Sequence, residues 1–90
     1  MNSEEIRKEL RALFTHMTDA QSTLPTLAIA KAIFGKEGTT KMINPHLYEM
    51  EKAGLLVKVT DEKGNNPRWR RRTLADNIYR TYQLRDNNML

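Results

Sequence analysis

Three side chains that can donate hydrogen bonds recur at helical spacing in the middle of the chain: Lys41, Asn44 and Tyr48. Residues three, four and seven positions apart lie on one side of an α-helix, so an ammonium, an amide and a phenol would share a face. Pro67 and Trp69 follow after a short segment rich in Leu and Val. Donors that grip phosphate, beside aromatic rings that pack on a base or sugar, are typical of nucleic-acid binding.

Basic residues are concentrated in the same part of the chain. The net charge of the 90 residues is +4. Residues 1–40 contain five basic and five acidic side chains, residues 73–90 contain two of each, and residues 41–72 contain eight basic and four acidic. A concentrated basic patch attracts polyanions through steering and counterion release. The alternative interpretation, for residues 70–72, is a solvated charged face that keeps the protein soluble.

The composition excludes several other kinds of site. There is no cysteine, so neither a disulfide framework nor a thiolate metal site can form. Two isolated histidines, without an acidic pair, a nucleophile–base arrangement or a phosphate-binding glycine loop, favour a protein that is not an enzyme and holds no metal or cofactor. No segment approaches the roughly 18–20 apolar residues of a membrane span, and the polar N-terminus does not resemble a signal peptide. We expect an intracellular protein without a membrane or small-molecule partner.

Apolar residues at helical spacing predict the elements that position the candidate site. Three helices are predicted, and they cover residues 3–17, 27–34 and about 40–53. Ser3 and Thr26 are the expected caps of the first two helices, and Gly54 is expected to end the third. Pro45 lies inside the third helix, where it lacks an N–H and crowds a carbonyl. We therefore expect this helix either to begin close to Lys41 or to kink.

The remaining segments predict a hairpin and a fourth helix. Residues 55–60 and 68–72 are expected to pair as strands around a turn-rich connection, whereas residues 18–25 are expected to be a polar connection. Thr73 and Asp76 have the spacing of a helix capping box, with Asp in place of Glu, and predict a helix from Leu74 to about Leu84. A frayed tail is expected to follow it. The predicted fold is α+β: a winged helix-turn-helix, meaning a three-helix bundle with a β-hairpin wing, over residues 1–72, plus a C-terminal helical extension over residues 73–90.

Three short motifs resemble those of the Zα domain, a winged helix that binds left-handed Z-form DNA and RNA. They are Lys41-x-x-Asn44-x-x-Leu47-Tyr48, Gly54-x-Leu56 and Pro67-x-Trp69. The resemblance covers roughly residues 3–72, and the combination of Asn-x-x-x-Tyr with Pro-x-Trp is its most specific part.

The resemblance implies a role for each matching residue. Asn44 and Lys41 would bind backbone phosphates, and Tyr48 would lay its ring against the exposed edge of a syn purine. Trp69 would pack against Tyr48 and contact a phosphate through its indole N–H, while Pro67 would touch the sugar-phosphate strand.

The sequence also departs from the family pattern. Thr40 stands where a second lysine is usual, Pro45 follows the asparagine in place of a polar residue, and Asn66 replaces the first of two wing prolines. The hairpin is also longer than is usual in the family. Arg68 and Arg70 could restore the missing charge from the wing. The expected nucleic-acid-binding residues are therefore Lys41, Asn44, Tyr48, Asn66, Pro67, Arg68, Trp69 and Arg70.

The function expected from these residues is binding of Z-form double-stranded DNA or RNA by conformation, in innate antiviral sensing or its evasion. A dimer on the nucleic acid is left open. The alternative is a winged-helix transcription regulator of right-handed B-DNA, which would probe a major groove with its third helix. A third possibility is a protein-interaction module whose arginines meet an acidic partner.

Overall fold

The computed structural model describes residues 1–17, 19 and 21–78, which form a small α+β fold. Its elements in chain order are helix α1 (Ser3–Thr15), strand β1 (Leu24–Pro25), helix α2 (Thr26–Phe34), helix α3 (Thr40–Lys52), strand β2 (Leu56–Val59) and strand β3 (Arg68–Arg71). A last helical segment covers residues 74–78. No helix within these described ranges is long and apolar enough to cross a membrane.

The three main helices form where their apolar stripes predict them, but two predicted caps are wrong. The cap of α1 is Asn2, whose Oδ1 accepts a hydrogen bond from the Glu5 N–H at 2.8 Å. Pro25 occupies the cap position of α2 without a side-chain hydrogen bond, and Thr26 is the first helical residue. The hydroxyl of Thr26 is directed into the core instead of the helix end.

Helix α3 is continuous through Pro45. Its first turn is closed by the Thr39 hydroxyl, which accepts a hydrogen bond from the Met42 N–H at 3.3 Å. This cap stabilises the helix N-terminus, just ahead of the turn in which Pro45 removes a backbone hydrogen bond. The continuous helix keeps Lys41, Asn44 and Tyr48 at helical spacing.

The sheet has three antiparallel strands in the order β1-β3-β2. The predicted β2–β3 hairpin is confirmed, and its register places Lys58 opposite Trp69. Strand β1 was not predicted, because it is only two residues long and ends in a proline within a polar connection. It pairs Leu24 with Trp69, so β3 becomes the central strand. Side chains alternate across a strand, and Trp69 and Lys58 therefore share the inner face of the sheet while Arg70 lies on the outer face.

The hydrophobic core lies between the three helices and the inner face of the sheet. Trp69 is its largest fully buried side chain. The other buried apolar residues are Ile6, Leu10, Phe14, Ile29, Ala30, Ile43, Leu47, Met50 and Leu56. Each of the three main helices contributes to this core. Because α3 and the hairpin both pack into it, their positions relative to each other are fixed.

The predicted capping box after the hairpin is confirmed. The Asp76 carboxylate accepts hydrogen bonds from the Thr73 N–H at 2.8 Å and from its hydroxyl at 2.9 Å. The Thr73 hydroxyl accepts one from the Asp76 N–H at 3.3 Å. The rest of the predicted helix, to Leu84, and the expected frayed tail lie outside the described residues.

Candidate nucleic-acid interface

The aromatic pair of the candidate site is formed by Tyr48 of α3 and Trp69 of β3. Their ring centres are 5.5 Å apart and their planes are inclined by 84°, which is an edge-to-face arrangement. Trp69 has no exposed surface, whereas Tyr48 is 43% exposed. Edge-to-face pairs contribute about 0.5–1.5 kcal/mol beyond area burial. The buried indole therefore holds an otherwise exposed phenol ring in one orientation.

The indole N–H of Trp69 is not free for a ligand. It donates a hydrogen bond to the Thr26 hydroxyl at 2.9 Å, and that hydroxyl lies 3.2 Å from the Pro67 carbonyl oxygen, to which it donates in turn. The phosphate contact of Trp69 stays a prediction, and it would require this buried N–H to exchange its bond to Thr26 for one to the phosphate. Its place is structural: Thr26, itself buried, ties the first turn of α2 to Trp69 and to the base of the hairpin.

Lys58 also belongs to this site, although no motif or spacing in the sequence predicts it. Its Nζ lies 2.8 Å from the Tyr48 Oη and 4.8 Å from the centre of the ring. Because the nitrogen is much closer to the oxygen, the contact is mainly a hydrogen bond and only secondarily a cation–π interaction. An ammonium group only donates, so the phenol oxygen accepts and the phenol proton remains available for another acceptor. Lys58 and Tyr48 thus present two adjacent donors.

A groove of about 530 Å³ lies between α2, α3 and the hairpin. Its walls are formed by Pro25, Thr26, Leu27, Thr40, Asn44, Asn66, Pro67 and Arg68. The structure thereby brings together four of the residues predicted for the site, which come from α3 and from the hairpin. Lys41 is exposed on α3, one turn before Asn44.

The hairpin loop is organised by Asp61. Its carboxylate accepts hydrogen bonds from the backbone N–H groups of Lys63 and Asn65 and, at 3.1 Å, from the amide of Asn66. Asn66 has a φ of 53°. Proline fixes φ near −65°, so a proline could not adopt this backbone, whereas asparagine can. Asn66 therefore lies at the groove, but its amide is partly used within the loop.

The two arginines assigned to the hairpin side have different positions. Arg68 lines the groove, and its guanidinium donates to the Thr23 hydroxyl at 2.7 Å and to the Thr23 carbonyl at 3.1 Å. Arg70 lies on the outer face of the sheet and forms a two-point ion pair with Asp76, at 2.7 and 2.9 Å. The hydrogen bonds from Arg70 and Thr73 hold the pKa of Asp76 far below its usual range. The charge of Arg70 is matched by a carboxylate in this structure, so its contact with nucleic acid, which stays a prediction, would have to compete with Asp76.

The arrangement offers hydrogen-bond donors and an exposed aromatic ring to a ligand. Within the described ranges, no three His, Asp or Glu side chains are grouped so that they could hold a metal ion. The groups that can act on a ligand are the exposed Tyr48 ring, the Lys41 and Lys58 ammonium groups and the Asn44 amide. Comparison of the chain with family models, with curated proteins and with solved structures gives no match.

Proposed function

We propose that this chain is a winged helix that binds Z-form double-stranded DNA or RNA by its conformation. In this proposal, α3 is the recognition helix and the β2–β3 hairpin is the wing. The observation that carries the proposal is the Tyr48 ring, which is half exposed yet braced edge-to-face by a fully buried Trp69. A rigid aromatic face can pack on a base only where the base is exposed, and a syn purine in a Z-form duplex offers such a surface.

The charged and polar groups around the ring support the same proposal. Lys41, Asn44 and the Lys58–Tyr48 pair are donors to phosphate, and phosphate contacts fix the register of a protein on a duplex without reading its sequence. The groove next to Asn44 gives Pro67 and Arg68 a place along the same strand. Few side chains here could form two hydrogen bonds to one base edge, so direct readout of a base sequence is not the favoured mode.

Binding of this kind would shift the equilibrium between two duplex forms. Moving a duplex from 1:99 to 99:1 in favour of Z requires roughly a 10⁴-fold preference for the Z form. When several protein molecules bind one short duplex, each needs to supply only part of the free energy that this preference represents. A protein that bound both forms equally would leave the equilibrium unchanged, however tightly it bound.

The test is titration of the protein into an alternating d(CG) duplex, with circular dichroism as the readout. The wild-type protein is expected to invert the long-wavelength bands toward the Z spectrum. Tyr48→Ala is expected to abolish inversion, whereas Tyr48→Phe, which keeps the ring, is expected to retain most of it. Binding without inversion would favour the B-DNA regulator, and the absence of salt-sensitive binding would favour a protein-interaction module. Either result overturns the proposal.

The salt dependence of binding tests which cations meet the phosphates. Each neutralised phosphate contributes about 0.7–0.9 to the slope of log K against log salt. Lys41→Gln and Lys58→Gln are each expected to reduce the slope by about one contact. Lys52→Gln is the matched control, because Lys52 is an exposed lysine at the other end of the same helix. Equal slopes for Lys41→Gln and Lys52→Gln would show that α3 is not positioned as proposed.

A further inference from the structure

A second concave site lies away from the groove, where the end of β3 meets α1. It is a pocket of about 210 Å³. Its walls combine three arginines with apolar side chains, and they are Arg11, Phe14, Thr15, Met50, Leu55, Leu56, Arg71 and Arg72. Hairpin pairing continues here, since the Arg72 N–H donates to the Leu55 carbonyl at 3.1 Å. The walls therefore belong to the folded body of the domain.

The three guanidinium groups of this pocket have no acidic partner among the described residues. Arg71 donates one hydrogen bond, to the Met17 carbonyl at 3.1 Å. The Nε of Arg72 is buried and has no hydrogen-bond partner within the same part of the chain. A buried donor without an acceptor is unfavourable and is rare in folded proteins.

Arg70, in the same strand, differs from these arginines because it has an acidic partner within the fold. Its guanidinium is matched by the carboxylate of Asp76 with two short hydrogen bonds. Arg71 and Arg72, the next two residues, lack such a partner in the described structure. Three positively charged side chains around a partly apolar pocket attract an anion, which would supply the missing acceptor.

We propose that this pocket binds a small oxyanion carried on a short apolar stem, such as a phosphate monoester or a carboxylate. The guanidinium groups of Arg11, Arg71 and Arg72 hold the oxyanion, and Phe14 and Met50 contact the stem. The pocket volume limits the size of the ligand, because pockets for drug-sized molecules measure about 300–1,000 Å³ and this pocket, at about 210 Å³, is smaller. The site is independent of the proposed nucleic-acid interface.

The experiment follows the side-chain Nε–H signals of ¹⁵N-labelled protein by NMR during titration with phenyl phosphate. Sodium chloride keeps the ionic strength constant. The Arg72 signal is expected to shift and to saturate, while the Arg70 signal, held by Asp76, moves little. Inorganic phosphate is expected to bind the same residues more weakly, because it lacks the stem, and phenol is expected not to bind.

Two variants test the assignment. Arg72→Gln keeps the backbone hydrogen bond and removes a side chain that has no partner in the described part of the chain. Arg11→Gln removes an exposed arginine from α1, so both proteins are expected to fold. Each is expected to weaken phenyl phosphate binding by about tenfold or more, the effect of one charge-assisted hydrogen bond. Lys63→Gln, in the hairpin loop, is the control and is expected to bind normally.

Three results would overturn this inference. They are an Arg72 signal that does not move, equal shifts of all arginine signals including Arg70, and equal binding of inorganic and phenyl phosphate. If the Arg72 signal fails to move with phenyl phosphate but moves with a d(CG) duplex, the pocket is instead part of a nucleic-acid surface.

Discussion

Replacing Thr26 by valine tests whether one buried hydroxyl joins the aromatic pair to the hairpin. Valine has nearly the same shape as threonine, so the change leaves no cavity in the core. It removes the acceptor of the Trp69 indole N–H and the donor to the Pro67 carbonyl. Thr26 and Trp69 are both buried, so water cannot easily replace the lost partner.

The expected loss of stability follows from these two hydrogen bonds. A buried donor left without an acceptor costs about 1–3 kcal/mol, and an ordinary intramolecular hydrogen bond contributes about 1 kcal/mol. We therefore expect Thr26→Val to lower the free energy of unfolding by about 2–4 kcal/mol in all. For a domain of this size that corresponds to a fall in Tm of roughly 8–30 °C.

Urea unfolding followed by circular dichroism measures this loss. Thr40→Val is the matched control, since Thr40 is the first residue of α3, as Thr26 is of α2, but it is exposed. In a Trp69→Phe background, which lacks the indole N–H, the effect of Thr26→Val is expected to shrink by about 1 kcal/mol or more. If Thr26→Val is no more destabilising than Thr40→Val, or if the two changes are additive, the hydroxyl does not have this role.

Three further changes test other parts of the fold. Asp76→Asn removes the ion pair with Arg70 and is expected to cost about 1–2 kcal/mol at neutral pH. Because the folded-state pKa of Asp76 is lowered, the stability that this carboxylate contributes is complete above the unfolded pKa of about 3.9 and is lost as the pH falls below it. Urea unfolding of the wild type and Asp76→Asn at several pH values measures this contribution. A difference in stability between the two proteins that stays constant into acid would contradict the prediction. Pro45→Ala restores a backbone hydrogen bond in α3 and is expected to raise stability by about 1–3 kcal/mol; an unchanged Tm would show that the helix already accommodates the ring. A Cβ at Gly38 would overlap a backbone carbonyl of α2, so Gly38→Ala is expected to lower the free energy of unfolding by about 2–3 kcal/mol. The control Gly35→Ala is expected to lower it by about 1 kcal/mol, because the space there is open and only the positive φ of 82° opposes the change. Equal losses would refute the steric explanation.

Most of the local structure could be predicted because its signals are local. Apolar spacing predicted all three main helices, and the run of turn residues predicted the hairpin between β2 and β3. The Thr73–Asp76 box predicted the start of the last helical segment. These features depend on residues a few positions apart, whose hydrogen bonds the sequence displays directly. The predicted cap at Ser3 was wrong because the neighbouring Asn2 caps α1. The predicted cap at Thr26 was wrong because its hydroxyl bonds to Trp69 in the core.

The parts of the site that could not be predicted depend on strand register. Lys58 reaches Tyr48 only because it pairs with Trp69 across the hairpin, and a shift of one residue would turn it to the outer face. The same alternation turns Arg70 away from the proposed interface and toward Asp76. Strand β1 was missed since two residues ending in proline carry no strand signal of their own.

That Lys41, Asn44 and Tyr48 share one side of a helix follows from the sequence, because helical spacing is a property of a single segment. The contacts of Tyr48 depend instead on how the elements pack. The Trp69 ring that braces it, the Lys58 ammonium that bonds its oxygen and the Thr26 hydroxyl behind Trp69 come from three other elements. Their meeting depends on chain packing and sheet register, to which residues far apart in sequence contribute together. For the same reason the indole N–H, which the family resemblance assigned to a phosphate, is bonded inside the protein.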